Sequence, residues 1–123
     1  MPILDVEIVV RPGEVLSPDL ADRLAHRAGE VFGAPPGTTW VKVSAIAADR
    51  YAENEEVAAE AVYPVFVSVL KAKLLSSAEL RGEVTSLTDA VALVSGRPRE
   101  NVHIIYQPEG AGRVAFGGKL VSG

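Results

Sequence analysis

Two stretches of the chain begin with a proline and continue as apolar runs rich in β-branched residues: residues 2–10, PILDVEIVV, and residues 64–72, PVFVSVLKA. Such runs are typical of β-strands, so we expect strands at Ile3–Val10 and Val65–Ala72. The turn sequence Arg11-Pro12-Gly13 ends the first of them. Each run is followed by a helical pattern and then by another strand, which predicts a repeated unit.

The segments that follow the two runs have the same order. Ser17 precedes Pro18, which suits the first position of a helix, and an apolar stripe at helical spacing runs up to Gly33. In the second unit Ser76 and Glu79 have the spacing of a capping box, and a second stripe follows them. The strands that close the two units are predicted at Trp40–Ala47 and Val102–Tyr106.

The two halves also match in detail, at a spacing of about 60 residues. The triplet Gly33-Ala34-Pro35, for example, returns as Gly96-Arg97-Pro98. A chain of 123 residues is long enough for one buried core and too short for two. We therefore expect a single domain, residues 1–123, made of pseudo-repeat halves at approximately 1–61 and 62–123.

Two β-α-β units in series predict an α+β fold, with one four-stranded sheet and both helices on one of its faces. The other face would be bare. Because the sequence is 48% hydrophobic with a mean hydropathy of +0.20, we expect that face to be apolar and buried by symmetric association of identical subunits. A monomeric ferredoxin-like domain is the alternative that this pattern leaves open.

Composition narrows the range of partners. A net charge of −4 and an isoelectric point near 5.1 argue against general nucleic-acid binding, which needs a dense basic surface. The longest apolar stretch is about half the length needed to span a bilayer, and the start of the chain has no signal-peptide pattern. We expect a cytoplasmic protein that contacts neither nucleic acid nor membrane, and we expect neither a metal nor another cofactor, since no ligand cluster or phosphate loop is present.

Three features together resemble the tautomerase superfamily, which includes 4-oxalocrotonate tautomerase and macrophage migration inhibitory factor. They are Met1-Pro2 opening directly into a strand, the doubled β-α-β pattern, and the glycine-rich tail GRVAFGGKL at residues 112–120. The resemblance covers nearly the whole chain. It implies a homotrimer with a β-barrel-like core, and active sites that hold an amino-terminal proline near a subunit interface.

Pro2 is the residue whose chemistry depends most on processing. Once Met1 is removed, its nitrogen is a secondary amine; a free α-amino group titrates at about 7.7 to 8.0, and desolvation or nearby cations lower that value. Such an amine suits general base catalysis at neutral pH. With Met1 retained, the same nitrogen is part of an amide and cannot accept a proton. The resemblance implies that Pro2 is the acid–base catalyst, acting on a small carboxylate substrate.

The resemblance also implies cationic partners for the substrate. Lys42, in the second strand, is a candidate catalytic residue that would stabilise a developing enolate, and Tyr106 is a candidate hydrogen-bond donor. Each also has a purely structural interpretation, Lys42 as a surface lysine and Tyr106 as a core tyrosine. The candidate substrate-binding residues are Lys71, Lys73, His103 and Arg113. Tyr106 and His103 lie three residues apart and should point to opposite faces of their strand.

The resulting functional hypothesis is an isomerase, a tautomerase that moves a proton on a small 2-oxo or 2-hydroxy carboxylate. Two alternatives stay open: a decarboxylase or haloacrylate hydratase in which Pro2 is protonated, and a trimeric binding protein without catalysis. Macrophage migration inhibitory factor has a lysine in its Gly-Lys-Pro-Pro turn, whereas this chain has Ala34. The resemblance therefore does not by itself imply a ketonase activity like that of macrophage migration inhibitory factor.

Overall fold

The computed structural model describes residues 2–54 and 63–122. Within these residues the chain forms two β-α-β units followed by a short hairpin, with 3₁₀ turns at Ala48–Arg50 and Arg99–Asn101. The elements are β1 (Ile3–Val10), α1 (Leu20–Phe32), β2 (Trp40–Ala47), β3 (Val65–Leu70), α2 (Ser77–Ser95), β4 (Val102–Tyr106), β5 (Ala115–Phe116) and β6 (Lys119–Leu120).

The main sheet has the strand order β2-β1-β3-β4. Within each unit the two strands are parallel, and the units meet through the antiparallel pair β1–β3, in which Val6 lies opposite Val67. This arrangement confirms the predicted four-stranded sheet with two helices. The proposed boundary between the halves, near residues 61 and 62, falls outside the described residues.

The core lies between the sheet and the two helices. Alternate residues of β1 and β3 point toward the helices and are fully buried, as Leu4, Ile8 and Val67 illustrate. Leu24 of α1 and Leu87 of α2 cover them. Burial of each such side chain contributes about 1.5–3 kcal/mol, so this helix-covered face, which we call the helix face, holds the sheet in register.

The opposite face of the sheet, which we call the open face, carries apolar and polar side chains in similar numbers. Strand alternation and register place these apolar residues there: Ile3, Trp40, Ile46, Phe66, Leu70 and Ile105. The polar residues on the same face are Asp5, Glu7, Lys42, Ser44, Ser68 and His103. The expected apolar surface is therefore interrupted by polar and charged side chains, because strand alternation sorts residues by face and composition does not.

Element boundaries follow the predictions except at two ends. The strands β2 and β4 are confirmed, and Ser76 caps α2 by accepting a hydrogen bond from the Glu79 N–H. Helix α1 starts two residues after Pro18, because the Ser17 carbonyl accepts from the Leu20 N–H and closes a turn first. Strand β3 ends at Leu70 and not at residue 72, so the predicted alternation does not extend to the following lysines.

A buried arginine joins the two halves at one end of the sheet. The Arg97 guanidinium donates to both carboxylate oxygens of Glu14 at 3.0 and 3.1 Å, to the Val9 carbonyl at 2.9 Å and to the Tyr63 carbonyl at 3.0 Å. Its side chain is only 5% exposed. The hydrogen bonds from Arg97 lower the pKa of the Glu14 carboxyl below its ordinary range. Arg97 occupies the repeat position of Ala34, so the first half has no counterpart.

No helix among the described residues is long and apolar enough to cross a membrane.

Candidate active site

One edge of the sheet collects most of the side chains that the sequence singled out. Strands β1 and β2 begin at this edge and strands β3 and β4 end there, because the two units pair in opposite directions. Pro2, which precedes β1, and Lys71, which follows β3, are therefore close along the edge. The sheet divides the site into two clusters, one on the open face and one on the helix face.

On the open face this edge carries a cavity of about 410 Å³, which we call the edge cavity. Its floor is made by β1, β2 and β3, and its rim by the segment that leads from β4 to the hairpin. The polar and charged residues lining it are Asp5, Lys42, Ser68, Gln107, Glu109 and Arg113. A small anionic molecule would meet two cations here, as well as two carboxylates.

Lys42 projects into this cavity from β2. The parallel register places it directly beside Asp5 of β1, and its Nζ lies 3.1 Å from the Asp5 Oδ1. Both side chains are more than half exposed, at 71% and 56%, so water weakens this ion pair. Lys42 is thus a cation in reach of a ligand, with a carboxylate already beside it.

Arg113 is held at the rim by a tight backbone arrangement. The Gly110 N–H donates to the Lys71 carbonyl at 2.8 Å, and the Arg113 N–H donates to the Gly110 carbonyl at 2.8 Å. Gly112 adopts a φ of 75°, in the left-handed region that favours glycine. The β5–β6 hairpin follows, within the glycine-rich tail. These contacts fix the main chain of Arg113 above the cavity, while its side chain is exposed.

Pro2 lies at the start of β1, beside the cavity. Its carbonyl accepts a hydrogen bond from the Trp40 N–H at 2.9 Å, which anchors it to the start of β2. The proline is buried, and alternation with Leu4 turns its ring toward the helix face. Ile3, the next residue, lines the edge cavity, whereas Pro2 is not among the lining residues.

A second cluster lies on the helix face at the same edge, and we call it the buried triad: Lys71, Glu83 and Tyr106. The Glu83 carboxylate, 5% exposed, accepts from the Lys71 Nζ at 2.8 Å and from the Tyr106 hydroxyl at 2.7 Å. The Lys71 ammonium also lies 5.0 Å from the ring centre of Phe32, a cation–π distance. Burial and the bond to Glu83 together raise the pKa of Tyr106, so its phenol stays protonated.

The structure thus separates the predicted site residues. It brings Lys42 and Arg113 together at the edge cavity, and it places Lys71 and Tyr106 in the buried triad on the other side of the sheet.

His103 lies on the open face toward the far end of β4, where its ring packs 5.3 Å from that of Phe66. His103 and Tyr106 therefore lie on opposite faces of the sheet, as expected. Lys73 is exposed beyond the end of β3. The catalytic and binding roles of all these residues remain predictions.

Sequence reasoning missed three carboxylates at this edge. Asp5 was visible as a polar residue within an apolar strand, but its pairing with Lys42 depends on the strand register. Glu109 accepts a hydrogen bond from the Leu74 N–H at 2.7 Å across 35 residues, and Glu83 contacts Lys71 across 12 residues. No local pattern reports contacts at such separations. Across residues 2–54 and 63–122, no group of three or more histidine, aspartate or glutamate side chains could hold a metal ion.

Comparisons with known proteins identify the fold. No family model matches the sequence, and no curated protein matches it. Solved structures do match: a fused 4-OT wild-type symmetric trimer is 19% identical, with a TM-score of 0.75 over 97% of this chain and 94% of that one. The macrophage migration inhibitory factor of Trichinella spiralis is 14% identical, with a TM-score of 0.71 over 96% and 98%. The protein Pt0534, solved after inactivation by 2-oxo-3-pentynoate, is 14% identical, with a TM-score of 0.74 over 97% and 94%. The chain therefore has the fold of the fused 4-OT and macrophage migration inhibitory factor structures, with two β-α-β units.

Proposed function

We propose that this chain is a tautomerase that transfers a proton within a small 2-oxo or 2-hydroxy carboxylate, with the amine of Pro2 as the base once Met1 is removed. The observation that carries the proposal is the edge cavity beside the start of β1, with the cations of Lys42 and Arg113 at its floor and rim. The shared fold with fused 4-OT supports it.

The proposed chemistry divides between these groups. The Pro2 nitrogen removes a proton from the substrate and returns it at another atom, so that a double bond shifts and no group is lost. Lys42 stabilises the negative charge that develops on the enolate oxygen during this transfer. Arg113 binds the substrate carboxylate, since a guanidinium matches two carboxylate oxygens.

We further propose that three copies assemble with their open faces around a common axis. The single chain exposes apolar side chains that an assembly would cover: Trp40 at 50%, Ile105 at 52% and Leu120 at 63%. The matched fused 4-OT structure is a symmetric trimer. Sedimentation at micromolar concentration tests this, and a stable monomer would contradict it.

The test of the mechanism compares two forms of the protein that differ only at the amino terminus. One begins at Pro2, as intact mass establishes; the other has one extra residue ahead of Pro2, which converts the amine to an amide. We expect ketonisation of phenylenolpyruvate, which has a single carboxylate, by the first form, and a loss of at least about 100-fold in the second. Both forms should sediment and melt alike. Equal turnover by the two forms would exclude Pro2 as the base.

An inactivator provides an independent test of whether the Pro2 nitrogen is a reactive amine. Pt0534 is inactivated by 2-oxo-3-pentynoate, and we expect the same reagent to add covalently to the Pro2 amine of this chain. Peptide mass spectrometry should locate the added mass on Pro2 in the form that begins with it, and find none there in the extended form. Labelling at another residue in both forms would contradict the proposed site.

A further inference from the structure

The edge cavity holds as many carboxylates as cations. Its charged side chains are Asp5, Lys42, Glu109 and Arg113, two of each sign. Lys42 is already paired with Asp5 at 3.1 Å. Arg113 has no ion-pair partner within residues 2–54 and 63–122. Of the two cations in the cavity, Arg113 is thus the one without an ion-pair partner among the described residues, which suits a ligand with one negative charge.

Asp5 is fixed in this position by the sheet. Its register partner on β2 is Lys42 and its register partner on β3 is Ser68, and all three line the cavity. A carboxylate in the middle of a central strand cannot leave the cavity unless the strand changes register, which would also turn the buried face outward. Asp5 therefore presents its negative charge to any ligand that occupies the floor.

We infer that Asp5 sets the charge selectivity of the edge cavity, so that the site accepts a substrate with a single carboxylate and disfavours a dicarboxylate. This inference rests on the proposed function, and it names the substrate class. The first carboxylate binds at Arg113. A second carboxylate on the same small molecule would approach Asp5 or Glu109, where two like charges repel, and it would have to displace Asp5 to reach Lys42.

The test uses Asp5→Asn, which removes the charge and keeps the shape, with Glu7→Gln as its matched control. Glu7 lies two residues along β1, on the same face and also exposed, but it does not line the cavity. The probes are pentanoate and glutarate, which have the same carbon chain and differ by one carboxylate. Their dissociation constants are measured by NMR titration of each protein.

For Asp5→Asn we expect the affinity for glutarate to rise relative to that for pentanoate by about three- to tenfold, the effect of removing one nearby charge in a partly exposed site. The shift should shrink at high salt because exposed charges are screened. Glu7→Gln should stay within about twofold of the wild type. If Asp5→Asn gives no relative gain for glutarate, or if Glu7→Gln gives the same gain, the inference is wrong.

These outcomes separate the inference from the proposed function, because binding is measured without turnover. If activity does not depend on Pro2 but Asp5→Asn shifts the preference toward glutarate, the proposed mechanism is wrong and the charge selectivity is supported. If activity depends on Pro2 but Asp5→Asn leaves the ratio of the glutarate and pentanoate affinities unchanged, the mechanism is supported and the charge selectivity is wrong. Thermal melting of both variants confirms that they fold.

Discussion

The buried triad gives the most direct test of how this edge of the sheet is stabilised. Replacing Glu83 with glutamine keeps the volume but removes the charge that faces Lys71, whose side chain is 15% exposed. Removing one partner of a buried ion pair costs about 3–5 kcal/mol, because the other charge stays desolvated. Since the lysine keeps some contact with water, we expect Glu83→Gln to lower the free energy of unfolding by about 3 kcal/mol.

The assay is urea denaturation at fixed protein concentration, because assembly would make stability depend on concentration. The control is Asp89→Asn on the same helix, which breaks the exposed ion pair of Asp89 with Arg99, also 2.8 Å long. An exposed pair contributes little to stability because water and salt screen it, so the loss in Asp89→Asn should be much smaller than that in Glu83→Gln. Replacing Lys71 with methionine in the Glu83→Gln background should recover about 1–2 kcal/mol of the loss, since no unpaired charge then remains.

Two results would refute this reasoning. If Glu83→Gln were as mild as Asp89→Asn, burial would not be what makes the Glu83 pair strong. If the effects of the Lys71 and Glu83 substitutions simply added, the two residues would not act as a pair.

Three further predictions follow from other parts of the structure. Lys42→Ala should lower kcat/KM by about 10- to 1000-fold with an unchanged melting temperature, as expected for loss of an oxyanion-stabilising group; unchanged kinetics would exclude that role. Glu14→Gln should destabilise the protein at neutral pH. Because Arg97 lowers the pKa of Glu14 in the folded protein, the wild type has this stability at pH values above the ordinary pKa of 4.5 and loses it as the pH falls through the lower folded pKa. The denaturation midpoints of the two proteins should therefore converge in acid. Gly82→Ala should stabilise the protein by about 0.5–1 kcal/mol in the same denaturation assay, because Gly82 lies in a helix and an added Cβ there meets nothing within 4 Å. Gly110→Ala should destabilise it by about 1–3 kcal/mol, because the added Cβ would lie 3.1 Å from a neighbouring side chain.

The sequence predicted the fold well because the signals that define it are local or periodic. Apolar alternation located β2 and β4, and the Ser76 capping box located the start of α2. The start of α1 was predicted too early, because Pro18 suits a turn as well as the first position of a helix. The hydrogen bond from the Leu20 N–H to the Ser17 carbonyl shows that a turn forms there and that the helix begins after it.

The candidate site was less predictable because its contacts join distant residues. The resemblance selected basic residues but could not say which face of the sheet each would occupy. Lys42 was predicted to be catalytic and Lys71 to bind substrate, both in one pocket, yet Lys42 is 71% exposed beside Asp5 and Lys71 is 15% exposed against Glu83. Strand register and the packing of α2 decide this difference, and neither is encoded in local spacing.

The Arg97 contact bears on how two separate polypeptides could rebuild this protein. Cut between its halves, the chain would yield two fragments of similar topology, each with a sheet edge able to pair with a copy of itself. Arg97 belongs to the second fragment and its partner Glu14 to the first, and Ala34 stands at the matching place in the first. A pair of first fragments would have two Glu14 carboxylates without the guanidinium, and a pair of second fragments would have two guanidinium groups without the carboxylate. Only a complex of one first fragment with one second fragment brings the Glu14 carboxylate and the Arg97 guanidinium together. This single contact therefore favours the mixed complex over either homodimer.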